Sequence, residues 1–205
     1  MQITDNLNGR YNYLQNMTGK NDSALQGSGY HFSDAITMAD SEDEGTFLGL
    51  TMIPEEGKTV VYGMRAMLSE ESTPDKPIVQ IISNLDGQKE IYNVDISKVD
   101  PKNASRMEIF ALCCYEDKMG TGTGSTFGSF HTLKMYEETA KQNGQMKTVD
   151  ESLSAWEQFT DEKRNWCAIS EAALETLKNY NSPDAKILDL ILKGQKLLTI
   201  FSKYA

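Results

Sequence analysis

Residues 99–119, VDPKNASRMEIFALCCYEDKM, separate two parts of the chain whose apolar residues recur with different periods. Ser105 followed by Glu108 predicts a capping box, in which each side chain satisfies a free backbone donor of the other residue. The apolar run from Met107 to Cys113 then predicts a strongly apolar helix that ends near Met119. This helix marks the point where the chain changes from strands to helices.

The part before this helix contains short runs of β-favouring residues, several of which alternate with polar ones. The predicted strands are Phe47–Ile53, Thr59–Leu68, Pro77–Ser83 and Gln88–Ile96. The pair Asp86-Gly87, between the last two strands, is typical of a tight hairpin turn. We therefore expect an antiparallel meander of three or four strands.

The part after this helix has the spacing of further helices. A second helix is predicted from about Phe130 to Gln142. A third helical region opens with a capping box, Thr148 with Glu151, and a break is possible at Thr160 and Asp161. A last helix begins with Ser182 as N-cap and Pro183 at the first helical position.

Strands followed by helices, without alternation between them, predict an α+β fold. We expect a small antiparallel β-meander followed by a C-terminal layer of four or five helices. This single domain covers residues 45–205, with strands within 46–97 and helices within 104–203.

Residues 1–44 differ in composition, because they are rich in Asn, Asp, Ser and Gly and hold few apolar side chains. They carry seven acidic and two basic residues, which is half of the chain's net charge of −10. Such a composition predicts a flexible acidic N-terminal tail. A second interpretation is a docking segment that folds onto a partner, with sparse apolar anchors. These anchors are Tyr11, Tyr13, Leu14, Tyr30, Phe32 and Ile36.

Charge and cysteine content exclude several classes of function. The 205 residues include 30 acidic and 20 basic ones, with a pI near 4.7, which disfavours direct binding to nucleic acid or to an anionic membrane. The three cysteines, Cys113, Cys114 and Cys167, do not fit a disulfide scaffold. The sequence shows neither a secretory signal nor a membrane span, so we expect a cytoplasmic protein. Export without a classical signal stays open.

A glycine-rich loop, GTGTGSTFG at residues 120–128, superficially resembles a phosphate-binding loop. It lacks the lysine of a Walker loop, and a helix rather than a strand precedes it. We interpret it as a flexible connector, with a partner-binding loop as the alternative because two aromatic side chains flank mobile glycines. The candidate partner-binding residues are Gly122, Gly124, Phe127, Phe130 and His131.

Catalytic and metal-binding patterns are weak. Cys113 or Cys114 with His131 is the best candidate for a thiolate and imidazole pair, although both cysteines lie in an apolar run that favours core packing. With only His31 and His131 in the chain, we expect no metal site and no cofactor.

Two pairs of carboxylates are candidates for acid and base chemistry. They are Glu137 with Glu138, and Glu151 with Glu157. Each lies among polar helix positions, so we interpret both pairs as parts of a solvated face.

The segment 99–105, continued by residues 107–111 and by 126–131, resembles a segment of uncharacterised bacterial proteins of unknown function. The resemblance covers residues 77–135. It implies a bacterial or mobile-element origin and transfers no functional residue.

These observations favour a non-catalytic protein that binds another protein, as an accessory or regulatory factor. The first alternative is an enzyme without a recognisable motif, at best a Cys/His hydrolase using His131. The second is an acidic decoy that inhibits a nucleic-acid-binding protein, which requires carboxylates clustered on one face.

Overall fold

The computed structural model describes residues 45–54, 61–85, 88–146, 152–179 and 184–205. Four sequence predictions lie outside these residues: the flexible tail, the Asp86-Gly87 turn, the Thr148–Glu151 capping box, and the Ser182-Pro183 helix start. The strands next to the predicted turn pair up to Leu85 and Gln88.

The sheet has four strands: β1 (Thr46–Pro54), β2 (Val61–Leu68), β3 (Ile78–Leu85) and β4 (Gln88–Asp95). Their spatial order is the order in the chain, and every neighbouring pair is antiparallel. The predicted meander is therefore confirmed. A short 3-10 turn, Ile96–Lys98, follows β4.

Five helices follow the sheet: α1 (Arg106–Lys118), α2 (Gly128–Gln142), α3 (Ala155–Thr160), α4 (Trp166–Lys178) and α5 (Ala185–Phe201). This order confirms the α+β fold.

Two helices begin at side-chain caps within the described residues. The capping box of α3 is formed by Ser154 and Glu157. Helix α5 begins after Asp184, whose carboxylate accepts from the Lys186 amide.

Helix α1 is the centre of the core because it is buried on nearly all sides. The predicted capping box is present: the Ser105 amide donates to Glu108 Oε2 at 2.7 Å, and the Glu108 amide donates to Ser105 Oγ. One side of α1 packs on the sheet and another on α2, which α4 and α5 cover in turn. A helix that is apolar all round needs burial of this kind.

The two faces of the sheet have different environments. Alternation along the strands places Met64, Ala66, Ile81 and Val94 on the face that packs on α1, the inner face. The opposite face is called the outer face below. Its residues, in cross-strand rows, include Leu50, Arg65, Ile82 and Ile91 in one row and Phe47, Met67, Gln80 and Asn93 in the next.

Candidate functional site

The loop between α1 and α2 is held by the Asp117 carboxylate at the end of α1. The Ser129 amide donates to Asp117 Oδ2 at 2.7 Å, and Ser129 Oγ donates to Asp117 Oδ1 at 2.5 Å. The Thr123 amide donates in turn to Ser129 Oγ at 2.8 Å. These bonds give the loop a defined conformation, whereas its glycine content predicts a flexible connector.

Two glycines make this conformation possible. A Cβ atom at Gly122 would lie 1.7 Å from Asp117 Oδ1 and 2.8 Å from the Asp117 Cα. Gly128, with φ of +81°, brings the chain into α2 through a conformation that other residues rarely adopt. The glycines therefore serve close packing around a carboxylate.

Glu116, next to Asp117, fixes the other end of the loop and the C-terminus of the chain. Its side chain accepts from Thr121 Oγ1 at 2.5 Å, from Lys203 Nζ at 2.8 Å and from Tyr204 Oη at 2.6 Å. Burial alone would raise the pKa of Glu116, but these hydrogen bonds outweigh burial and the pKa lies below its usual value. Burial, and then the hydrogen bond to the same carboxylate, raise the pKa of Tyr204.

The structure separates the five candidate partner-binding residues into two groups. Phe127 is 64% exposed, Gly124 is exposed, and the His131 ring lies 5.4 Å from the Phe127 ring. Gly122 is buried against Asp117, and Phe130 is buried with its ring 5.0 Å from Phe110. Gly122 and Phe130 therefore do not face solvent, which leaves Gly124, Phe127 and His131 at the surface of the five candidates.

Burial and then the charge of Lys134 lower the pKa of His131, which favours its neutral form. Lys134 itself is packed between α2 and β1, where its Nζ donates to Thr51 Oγ1 at 3.0 Å and lies 5.1 Å from the Phe130 ring centroid. Burial and the nearby Arg106 guanidinium lower the pKa of Lys134 to about 8. The exposed Phe127 ring and the half-buried His131 ring thus form an aromatic surface.

The carboxylate of Glu137 lies in a buried ion cluster rather than on a solvated face, which corrects the sequence interpretation. Its side chain is 5% exposed, and it accepts from Arg106 and, at 2.5 Å, from Arg164 Nη1. Lys141 Nζ lies 3.6 Å away. Glu138, its neighbour, is exposed as predicted. The Glu137 cluster therefore joins α1, α2 and the start of α4.

The Cys/His pair does not form a reactive site. Both thiols are buried in α1, and burial raises the pKa of Cys113 and of Cys114. The Asp117 charge raises both values further. A thiol with a raised pKa stays protonated at neutral pH and is a poor nucleophile. Cys167 is half-buried on α4 and its pKa is also raised, mainly by burial.

The two carboxylates that build this site, Glu116 and Asp117, are not among the residues predicted from the sequence. Glu116 and Asp117 end an apolar helix immediately before a segment rich in Gly, Ser and Thr. Backbone amides and hydroxyls in such a segment are natural donors to a carboxylate at the helix end. A carboxylate at the end of an apolar helix, followed by such a segment, is the sequence pattern that indicates this arrangement.

Replacing Asp117 by Ala tests whether this carboxylate holds the loop. We expect the free energy of unfolding to fall by about 1–3 kcal/mol, since the buried Ser129 donors lose their acceptor. Hydrogen exchange at the Ser129 and Thr123 amides should accelerate. Lys118→Ala, at the exposed neighbouring position, should change stability by less than about 0.5 kcal/mol. Unchanged exchange at both amides in Asp117→Ala would contradict the assignment.

Within the described ranges, the structure shows no group of three or more His, Cys, Asp or Glu side chains placed to hold a metal ion. No helix in those ranges has both the length and the apolar character needed to cross a bilayer. Comparisons of the chain with protein-family models, with curated proteins and with solved structures found no match.

Proposed function

We propose that this chain is a cytoplasmic accessory or regulatory factor that acts by binding another protein, without catalysis of its own. The binding surface is the tip of the α1–α2 loop, with Phe127 as the anchor and Gly124 and His131 beside it. The observation that supports this proposal is a largely exposed aromatic ring on a loop that is fixed by hydrogen bonds.

An exposed phenylalanine is costly to solvate and is a common anchor in protein interfaces. The bonds from Ser129 to Asp117 hold the backbone near Phe127 before any partner arrives. A loop that is already ordered loses less conformational entropy on binding. In its neutral form, the His131 ring adds apolar contact area without the cost of removing water from a charge.

The Cys/His hydrolase alternative is not proposed, because both thiols of α1 are buried and have raised pKa values. The acidic-decoy alternative needs carboxylates gathered on one face. The charge clusters around Glu116 and Glu137 are instead neutralised by Lys203, Arg106 and Arg164.

The test replaces Phe127 by Ala and compares it with Leu192→Ala. Leu192 lies on α5 and is equally exposed, at 65% against 64% for Phe127. A photo-reactive phenylalanine at position 127 first identifies the bound protein, and calorimetry with that protein then gives the affinity. We expect Phe127→Ala to weaken binding by about 30-fold or more, the loss typical of an interface anchor.

Leu192→Ala should leave the affinity within about threefold of the original chain, since α5 is not part of the proposed surface. Equal losses in the two variants would assign binding to another surface. Recovery of no cross-linked protein at position 127, while position 192 gives one, would also overturn the proposal.

A further inference from the structure

The centre of the outer face is buried, although it lies opposite the helices of the core. Ile82 is 2% exposed and Met67 is 4% exposed, and both point away from α1 by the alternation of β2 and β3. Neither residue belongs to the core cluster that α1 organises among the described residues. A side chain in the middle of an uncovered sheet face keeps much more of its surface exposed.

The burial is confined to the two central strands. Ile82 pairs with Ile91 on the edge strand β4, and Ile91 is 50% exposed. On the other edge strand, β1, Phe47 pairs with Met67 and is also exposed. Two strands are about 10 Å wide, which matches the width of one helix or one packed segment of chain. A broad protein surface would bury the edges as well.

We propose that residues 30–39 of this chain, YHFSDAITMA, lie across β2 and β3 on the outer face. Their apolar side chains, Tyr30, Phe32, Ile36 and Met38, supply the cover for Met67 and Ile82. The segment is thus an intramolecular partner of the sheet. This inference is independent of the surface around Phe127.

The position where the N-terminal part enters the domain supports this occupant. Gly45 precedes β1, and a Cβ atom there would lie 3.9 Å from the Met67 Cβ. The chain therefore enters beside the buried part of the outer face. The five residues 40–44 span up to about 17 Å when extended, which is enough to bring residue 39 over β2. The undescribed stretches within residues 45–205 hold at most six residues and connect the ends of neighbouring elements.

Charge supports the same occupant. Arg65 is buried in the middle of the outer face, in the same row as Ile82. Five of the seven acidic residues of the N-terminal part lie between Asp34 and Glu44. A second copy of the chain would bring the same outer face, with another Arg65, against the first.

The experiment measures how fast a thiol reagent reaches the outer face in the full-length chain. Ile82→Cys reports on the buried centre, and Ile91→Cys is the matched control in the same row. Both are made in a Cys167→Ser background. Each is then combined with Phe32→Asp and Ile36→Asp, which remove the proposed apolar anchors. The buried Cys113 and Cys114 report global unfolding in the same mass spectrum.

We expect Cys at position 82 to react slowly and to react at least about tenfold faster once Phe32 and Ile36 are replaced, because local opening then costs less free energy. Cys at position 91 should react quickly in both chains. Equal rates at 82 and 91 in the chain with Phe32 and Ile36 intact would overturn the proposal. Labelling at position 82 that stays slow after Phe32 and Ile36 are replaced would also overturn the proposal. If labelling at position 82 then accelerates when the protein is diluted, a second copy of the chain is the cover.

Discussion

We expect Glu137→Gln to lower the free energy of unfolding by about 3–5 kcal/mol, the loss typical of removing one partner from a buried ion cluster. The Glu137 carboxylate faces Arg106, Arg164 and Lys141. A glutamine amide has the same shape and no charge, so Arg106 would lose the Glu137 carboxylate and Arg164 would keep only its pairing with Glu162. Urea unfolding followed by fluorescence or circular dichroism gives the difference.

Glu138→Gln is the matched control, since it removes the same charge from the next position of α2. Glu138 is exposed and its contact is Lys141 at 3.3 Å. We expect its loss to be less than about 1 kcal/mol. Similar losses in the two variants would mean that Glu137 acts only through the net charge of the chain.

The contribution of Glu137 to the free energy of unfolding should decrease as the pH falls. Burial would raise the pKa of Glu137, but Arg106, Lys141 and Arg164 outweigh burial and hold the pKa below its ordinary value of 4.5. A carboxyl with a lowered pKa in the folded state contributes its stability above the unfolded value and loses it as the pH falls through the folded value. The difference in unfolding free energy between the original chain and Glu137→Gln should therefore be largest at pH 7 and should shrink below about pH 4.5.

The fold was largely predictable because its signals are local. The capping box Ser105–Glu108 and the pairing of β3 with β4 up to Leu85 and Gln88 depend on residues a few positions apart. The structure caps α3 with Ser154 and Glu157, a second match to the capping pattern that Thr148 and Glu151 also satisfy in the sequence. Thr148 and Glu151 lie outside the described residues, so their capping box stays a prediction.

The site was less predictable because its contacts join distant residues. Glu137 meets Arg106 across 31 positions and Arg164 across 27. Both contacts depend on how α1, α2 and α4 pack in the folded chain. The neighbours of Glu137 in the sequence are polar, so a solvated face is the natural reading. Phe127 precedes α2 as its N-cap residue, whereas Phe130 lies in the first turn of α2. The predicted helix start, two residues too late, hides that difference.

We expect Gly194→Ala to lower the free energy of unfolding by about 3 kcal/mol, through overpacking and the loss of a hydrogen bond. Gly194 lies inside α5, where Tyr136 of α2 packs against it. A Cβ atom at position 194 would lie 2.0 Å from Tyr136 Oη and 2.4 Å from Cζ. That ring is buried, and its hydroxyl donates to the Leu190 carbonyl at 2.6 Å. The ring cannot yield without moving α5 away from α2.

The sign of this effect makes it a sharp test of the contact between α2 and α5. Alanine normally stabilises a helix interior by about 0.5–1 kcal/mol relative to glycine, so the expected loss reverses the intrinsic preference. In a Tyr136→Leu chain the aromatic ring and its hydroxyl are gone, and there Gly194→Ala should be neutral or stabilising. The coupling free energy between the two positions, measured by urea unfolding of all four chains, should then be about 3 kcal/mol. Equal losses in both backgrounds would show that Gly194 is needed for the α5 backbone itself, and a gain in the original chain would show that the ring lies elsewhere.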